Sequence, residues 1–218
     1  MESRFHQEQE ELRLIVLKMA ALTERVMEKA LRALFERNLE ASAEVVQEDQ
    51  KIDDLEMKID RIALKLLALG QPMARDLRFI VGCMRIGVDL ERIGDQGVSI
   101  AHRARYLTNR PPLPASPAMQ QLAETASDML RQALNAFVNQ NVEQAVAVCH
   151  MDDAADRLNV QALQDLMDFM VHDTPAIQRA MQTIITARCL ERVADHATNI
   201  AESVCFIAQG VNIKHQCE

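Results

Sequence analysis

The segment Glu91-Arg-Ile-Gly-Asp95-Gln-Gly-Val-Ser99-Ile-Ala101 returns 100 positions later as Glu191-Arg-Val-Ala-Asp195-His-Ala-Thr-Asn199-Ile-Ala201. At an offset of 103, Ala30-Leu31, Asn38, Val45, Asp49, Asp53 and Leu55 fall on Ala133-Leu134, Asn141, Val148, Asp152, Asp156 and Leu158. A chain of 218 residues built this way must fold one unit twice. Each copy has roughly 100 residues in which to bury a core. The three-residue slip between the two registers falls at the Gly70-Gln71-Pro72 connection, where an insertion does not rotate a helix face.

The unit is helical. Apolar residues recur at helical spacing, as in Leu12, Ile15, Val16, Met19, Leu22 and Val26. Hydrophobic residues make up 49%, with six Gly and six Pro, too apolar for disorder and too poor in turn residues for many short strands. The expected fold is all-α, a tandem repeat of two three-helix bundles with six long helices. They are placed near 5–38, 41–69, 73–108, 117–140, 142–172 and 175–210, with Gly70 and Pro72 and then Thr174-Pro175 as stop and start signals. Residues 110–117 hold four of the six prolines and separate a first bundle, 1–110, from a second, 116–218.

Partner classes narrow on composition. Aromatics are 3%, and 24 basic against 32 acidic residues leave a net charge of −8, so a nucleic-acid surface is not expected. The segment Met1 to Glu11 is charged, and no stretch of 18 apolar residues follows, so the chain reads as cytoplasmic, meeting membranes only through partners. Cys83, Cys149, Cys189, Cys205 and Cys217 are odd in number, widely spaced and without a Cys-x-x-Cys pair, which fits reduced thiols.

The chemistry concentrates in carboxylates. Glu91 and Asp95, like Asp49 and Asp53, are four residues apart and share one helix stripe. Chance alone supplies several such pairs, and a solvated face is the ordinary reading of any one. Beside Glu91 and Asp95, however, lies a strip of small residues, Gly87, Gly94, Gly97 and Ala101, repeated as Ala187, Ala194, Ala197 and Ala201. Glycine inside a helix costs up to about 1 kcal/mol against alanine, which asks for a packing reason. Close approach of the second helix would let Asp49, Asp53, Glu91 and Asp95 converge, and Asp152, Asp156, Glu191 and Asp195 in the other half. Crowded carboxylates must protonate, pair with cations or bind metal. Arg92 and Arg192, near the acids on the wheel, make an arginine network the competing explanation. All-oxygen ligation suits Mg, Mn or Ca, and carboxylate clusters also take iron. His102 could extend the first site, whereas His196 is turned away from the second.

Enzyme signatures are missing: no Glu has His three residues later, and there is no phosphate loop, nucleophile elbow or Cys/His pair. A second candidate surface is the line of Arg78, Arg85, Arg92 and Arg103 on the third helix, a partner-docking face or a solvated stripe.

With Gln71-Pro72-Met-Ala-Arg75-Asp76-Leu77-Arg78, Asp89-Leu90-Glu91-Arg92-Ile93-Gly94-Asp95, Leu190-Glu191-Arg192-Val193-Ala194-Asp195-His196 and Gly210-x-x-x-x-His215, nearly the whole chain resembles the PhoU family of bacterial phosphate-uptake regulators. The resemblance implies two three-helix repeats whose paired acids hold multinuclear metal clusters. Iron is the first candidate and Mg, Mn or Zn the others. Carried over, the ligands are Asp49, Asp53, Glu91, Asp95, Asp152, Asp156, Glu191 and Asp195. Ser99 and Asn159 depart from the pattern, so nuclearity could differ between halves. The resemblance also implies a non-enzymatic homodimeric adaptor. It would repress the phosphate-starvation response by linking a phosphate ABC transporter ATPase to a sensor histidine kinase. The alternative is a helical scaffold without metal or sensing role.

Overall fold

The computed structural model describes residues 2–211; His215 and Cys217 lie outside them. Helix α1 (Glu2–Phe35), α2 (Leu39–Gly70) and α3 (Arg75–Thr108) form the first repeat. The second comprises α4 (Pro117–Asn139), α5 (Val142–Cys149), α6 (Asp152–His172) and α7 (Ile177–Gln209), with a 3-10 turn at Thr174–Ala176 before α7. Expected helix boundaries hold to within a few residues in five of six cases.

The fifth differs. The rod expected over 142–172 is broken at His150 and Met151, where the Met151 amide bonds back to the Val148 carbonyl at 3.0 Å and a new helix starts at Asp152. Unbroken apolar spacing hid this, because a single 3-10 step shifts the register without changing which residues are buried.

Matched asparagines start the second rod of each repeat. The Asn38 Oδ1 accepts the Ala41 amide at 3.0 Å, and the Asn141 Oδ1 accepts the Gln144 amide at 3.1 Å. Asn141→Ala is expected to cost about 1 kcal/mol, read as a lower denaturant midpoint at unchanged slope.

The insertion sits where the two registers require it. Gln71 to Ala74 separate α2 from α3, and positive φ at Gln71 (45°) and Ala74 (39°) turns the chain. Gln71 rather than Gly70 takes the left-handed position. Gly70 is needed for another reason: a Cβ there would lie 2.5 Å from the Phe5 ring.

Packing follows a pseudo-twofold plan. Helices α3 and α7 run antiparallel against each other at the centre, since Gly82 meets Ile207, Asp89 meets His196 and Asn199, and Tyr106 meets Gln178. Flanked by α2 and α6, they make a four-helix layer, with α1 and α4 behind it. A single apolar cluster runs from Leu12, Val16 and Leu90 in the first repeat through Leu122, Met129 and Leu190 in the second. The proline linker is held from both repeats. Arg37 donates to the carbonyls of Leu107, Thr108 and Arg110, and Arg179 to those of Pro111 and Pro112.

Four cysteines, Cys83, Cys149, Cys189 and Cys205, are buried, and none forms a disulfide. Burial pushes the Cys83 thiol up to about 12, which leaves it unreactive. No helix among the described residues is long and apolar enough to cross a membrane.

Candidate metal centre

The small-residue strip serves several neighbours. A Cβ at Gly94 would sit 2.8 Å from Asp49 Oδ1 and 3.1 Å from Ile52 Cδ1, and one at Gly87 would sit 3.3 Å from Ile59 Cδ1, all on α2. Gly97 faces Val26 and Met27 of α1, and Gly82, outside the strip, faces Ile207 of α7. The Ser42 hydroxyl donates to the Ala101 carbonyl at 2.9 Å, so α2 and α3 stay close along this line. Absence of a side chain at Gly94 is thus what seats Asp49 against α3.

In the first half this approach crowds the acids. Burial, followed by the charges of Asp53 and Asp95, pushes the Asp49 carboxyl up to about 6. Glu91 is raised by burial and then by Asp95, with Arg92 opposing, and Glu56 by burial and then by Asp60 and Asp53. The Arg92 guanidinium lies 3.4 Å from Glu91 and 3.8 Å from Asp95, a half-exposed pair worth little. His102 is exposed on the same helix. Glu56, on the expected stripe but outside the eight, belongs electrostatically to this group.

The second half is tighter. Asp156, Glu191 and Asp195 each offer an oxygen such that all three lie within 4.8 Å of one another. Among the described residues no other trio of Asp, Glu, His or Cys meets this condition. Asp152, the fourth expected member, receives a hydrogen bond from Thr198 Oγ1 at 3.1 Å. Glu191 is only 7% exposed. Its Oε1 accepts from Arg188 Nη1 at 2.8 Å, while its Oε2 is buried with no hydrogen-bond partner. Burial raises the Glu191 carboxyl first and Asp195 next, with Arg188 opposing; Asp195 is raised by burial and then by Asp152 and Asp156.

Arg188 rather than Arg192 is therefore the arginine that enters the second site. The i, i+3 spacing to Glu191 carried that signal. A buried carboxylate with one oxygen unpaired is costly unless a cation supplies the missing interaction. The donor set is all oxygen, which fits a hard cation or iron, so these residues suit the metal that the resemblance implies.

His196 is turned from the acids, as its wheel position predicts. Its Nδ1 lies 3.0 Å from Asp89 Oδ1, which Asn199 Nδ2 also approaches at 3.2 Å, tying the two repeats together. Sequence reasoning missed this junction because Asp89 has Cys189 as its counterpart, so the duplication does not mark it.

The four arginines of α3 do not make one free stripe. Arg85 is exposed and stacks over Phe206 with 4.6 Å to the ring centroid, and Arg92 turns to the acids. Arg78 packs at Gly210 and has a buried Nε, while Arg103 donates to the Ser99 carbonyl and hydroxyl. This side of α3 meets α7, which a wheel of one helix cannot reveal.

Family membership is decided by the whole pattern. The family model for the PhoU domain matches residues 16–104 and again 119–204. The chain belongs to the PhoU family. It is 38% identical over 213 residues to a phosphate-specific transport system accessory protein PhoU homolog of Aquifex aeolicus, covering 98% of this chain and 96% of that one. Its identity to the Zymomonas mobilis protein of that name is 35% over 199 residues, 91% of this chain and 84% of the other. Among solved structures, PhoU from Pseudomonas aeruginosa superposes with a TM-score of 0.92 at 34% identity, covering 95% of this chain and all of that one. The phosphate transport system regulatory protein PhoU from Streptococcus pneumoniae gives 0.87 at 27%, covering 95% and 98%. These PhoU relatives are named as accessory or regulatory proteins rather than as enzymes.

The crowding has a pH signature. Asp49 holds its proton more tightly when folded than when unfolded, so its contribution favours the fold fully below the unfolded value of 3.8 and is lost as pH rises through about 6. In chelator, the melting temperature is expected to fall across that window, and Asp49→Asn to flatten the fall; an unchanged profile in the variant refutes the assignment.

Proposed function

We propose that this chain is a metal-loaded regulator of phosphate uptake, acting by contact with partners and not by turnover. The family supports a role with the phosphate transport system, since the relatives are named as its accessory proteins. The finer reading is a cytoplasmic, homodimeric negative regulator of the phosphate-starvation response, adapting a transporter ATPase to a sensor histidine kinase. Asp49, Asp53, Glu91 and Asp95 would hold one cluster, and Asp152, Asp156, Glu191 and Asp195 the other, with iron first among the candidates. The observation that carries the metal reading is Glu191, buried beside Asp156 and Asp195 with one oxygen unpartnered.

When bound, the cation neutralises the acids, and what the chain itself does is hold α2 to α3 and α6 to α7 at the spacing the small residues allow. Loaded and empty forms would then differ in how firmly those helices are clamped. Elemental analysis of purified protein tests the loading. Capture of the ATPase and the kinase at high and low phosphate, with wild type and with acid-to-amide variants, tests the adaptor role. Equal capture in every condition defeats sensing.

A second reading keeps the acids as a scaffold neutralised by arginine. Arg188 on Glu191 at 2.8 Å favours it. Stoichiometric metal in untreated protein would exclude it.

A further inference from the structure

On the side of the four-helix layer away from α1 and α4, each repeat leaves an apolar strip uncovered. In the second repeat it consists of Val160, Met167 and Val171 on α6 with Ile177 and Met181 on α7, all exposed, Val171 by 77%. On the wheel these residues fall within about 60° of the stripe carrying Asp156, Glu191 and Asp195, so the strip runs from the α6–α7 turn up to the acids. The first repeat repeats it. Met57 and Leu64 on α2, with Leu77 and Val88 on α3, are exposed beside Asp53, Glu91 and Asp95. Met57, Leu64 and Leu77 are the counterparts of Val160, Met167 and Ile177 in the two registers.

Charge selects the occupant. The second strip is bordered by Asp153, Asp168 and the acid trio, against Arg157, Arg188 and Arg192; the first by Asp53, Glu56, Asp60, Glu91 and Asp95, against Arg61, Lys65 and Arg92. Both rims are acidic. An anionic bilayer would be repelled, and a second copy docking by the same face would set acids against acids. An amphipathic helix with an apolar i, i+4, i+7 stripe and lysines or arginines beside it satisfies strip and rim together. From Ile177 to Glu191 the strip and its acids span roughly 20 Å, about four turns of such a helix.

We infer that each repeat's α2–α3 or α6–α7 face is a docking groove for a basic amphipathic helix of a partner protein, two per chain. The pseudo-twofold relation of the grooves suits a partner that is itself twofold and presents one helix per subunit. The acidic rims are those of the cation-free chain, so the titration is made in chelator, and a cation that fills the acids is expected to compete with the helix.

The probe is a fluorescent leucine/lysine helix of about 15 residues with that stripe, titrated onto the full chain by anisotropy. Two peptides are expected per chain, with no binding of a scrambled-order peptide or of a leucine/glutamate version. Met167→Glu with Met181→Glu should remove one site, and Leu64→Glu with Val88→Glu the other, each weakening its own site at least about tenfold. These residues are exposed, so circular dichroism and melting should be unchanged. Peptide binding unaffected by both pairs overturns the inference, as does equal binding of the scrambled peptide. Binding of anionic phosphatidylglycerol vesicles lost in the same variants would assign the face to membrane, and loss of self-association in them would assign it to a second copy; either overturns the inference.

Discussion

Replacing Glu191 by Gln and Asp195 by Asn together is expected to abolish cation binding in the second half, weakening it at least about a hundredfold, while the first half keeps its own. The argument is local. Asp156, Glu191 and Asp195 are the three oxygens already within 4.8 Å, and Glu191 Oε2 is the buried atom without a partner. An amide keeps the volume and removes the charge, so metal content should fall by half without loss of helix signal. The same variant should melt higher than wild type in chelator, because the repulsion that burial amplifies is gone, and lower than wild type with metal present. That inversion separates a cation site from an arginine-neutralised scaffold, in which the amide would leave Arg188 without its charged partner and lower stability in both conditions. Wild-type protein free of metal, with no inversion, would refute the cation reading.

Leu90→Ala and Leu190→Ala are each expected to destabilise the whole chain by about 2–5 kcal/mol. Both side chains are fully buried, at matched positions of α3 and α7, in one apolar cluster that crosses from repeat to repeat. Because α3 packs on α7 as intimately as on its own repeat, either truncation should lower a single unfolding transition. Two separate transitions, only one of them shifted, would show that the repeats unfold independently. Chemical denaturation followed by circular dichroism, with calorimetry to test two-state behaviour, reads the outcome.

Much of this was legible because the chain spells itself twice. Asn38 and Asn141 aligned before either was known to be a cap, and the acids aligned before their crowding was visible. Periodicity placed Leu12, Val16 and Met19 in the core and the prolines of the linker outside any helix. The signals that failed were those with no copy or no local pattern. Asp89 has no acid counterpart, so the junction with His196 and Asn199 left no trace in the alignment of halves. Arg78 and Arg103 looked outward on a wheel of α3 alone, because the wheel does not contain α7. The break at His150 and Met151 lacks glycine or proline, the residues that ordinarily announce one. Thr198 and Arg188 needed a distance, not a spacing, to be recognised as partners of Asp152 and Glu191.

That break also makes the halves unequal twins. Asp49 sits in the middle of an uninterrupted rod and is raised by burial and then by its fellow acids, whereas Asp152 opens a fresh one, where burial raises its carboxyl and the hydrogen bond from Thr198, together with the positive end of the helix dipole, opposes the rise. Under the proposed cation loading, these unequal surroundings give the two halves unequal affinities, so they fill at different levels of free cation. A duplicated protein of this kind is a two-step gauge, with a half-filled state between empty and full.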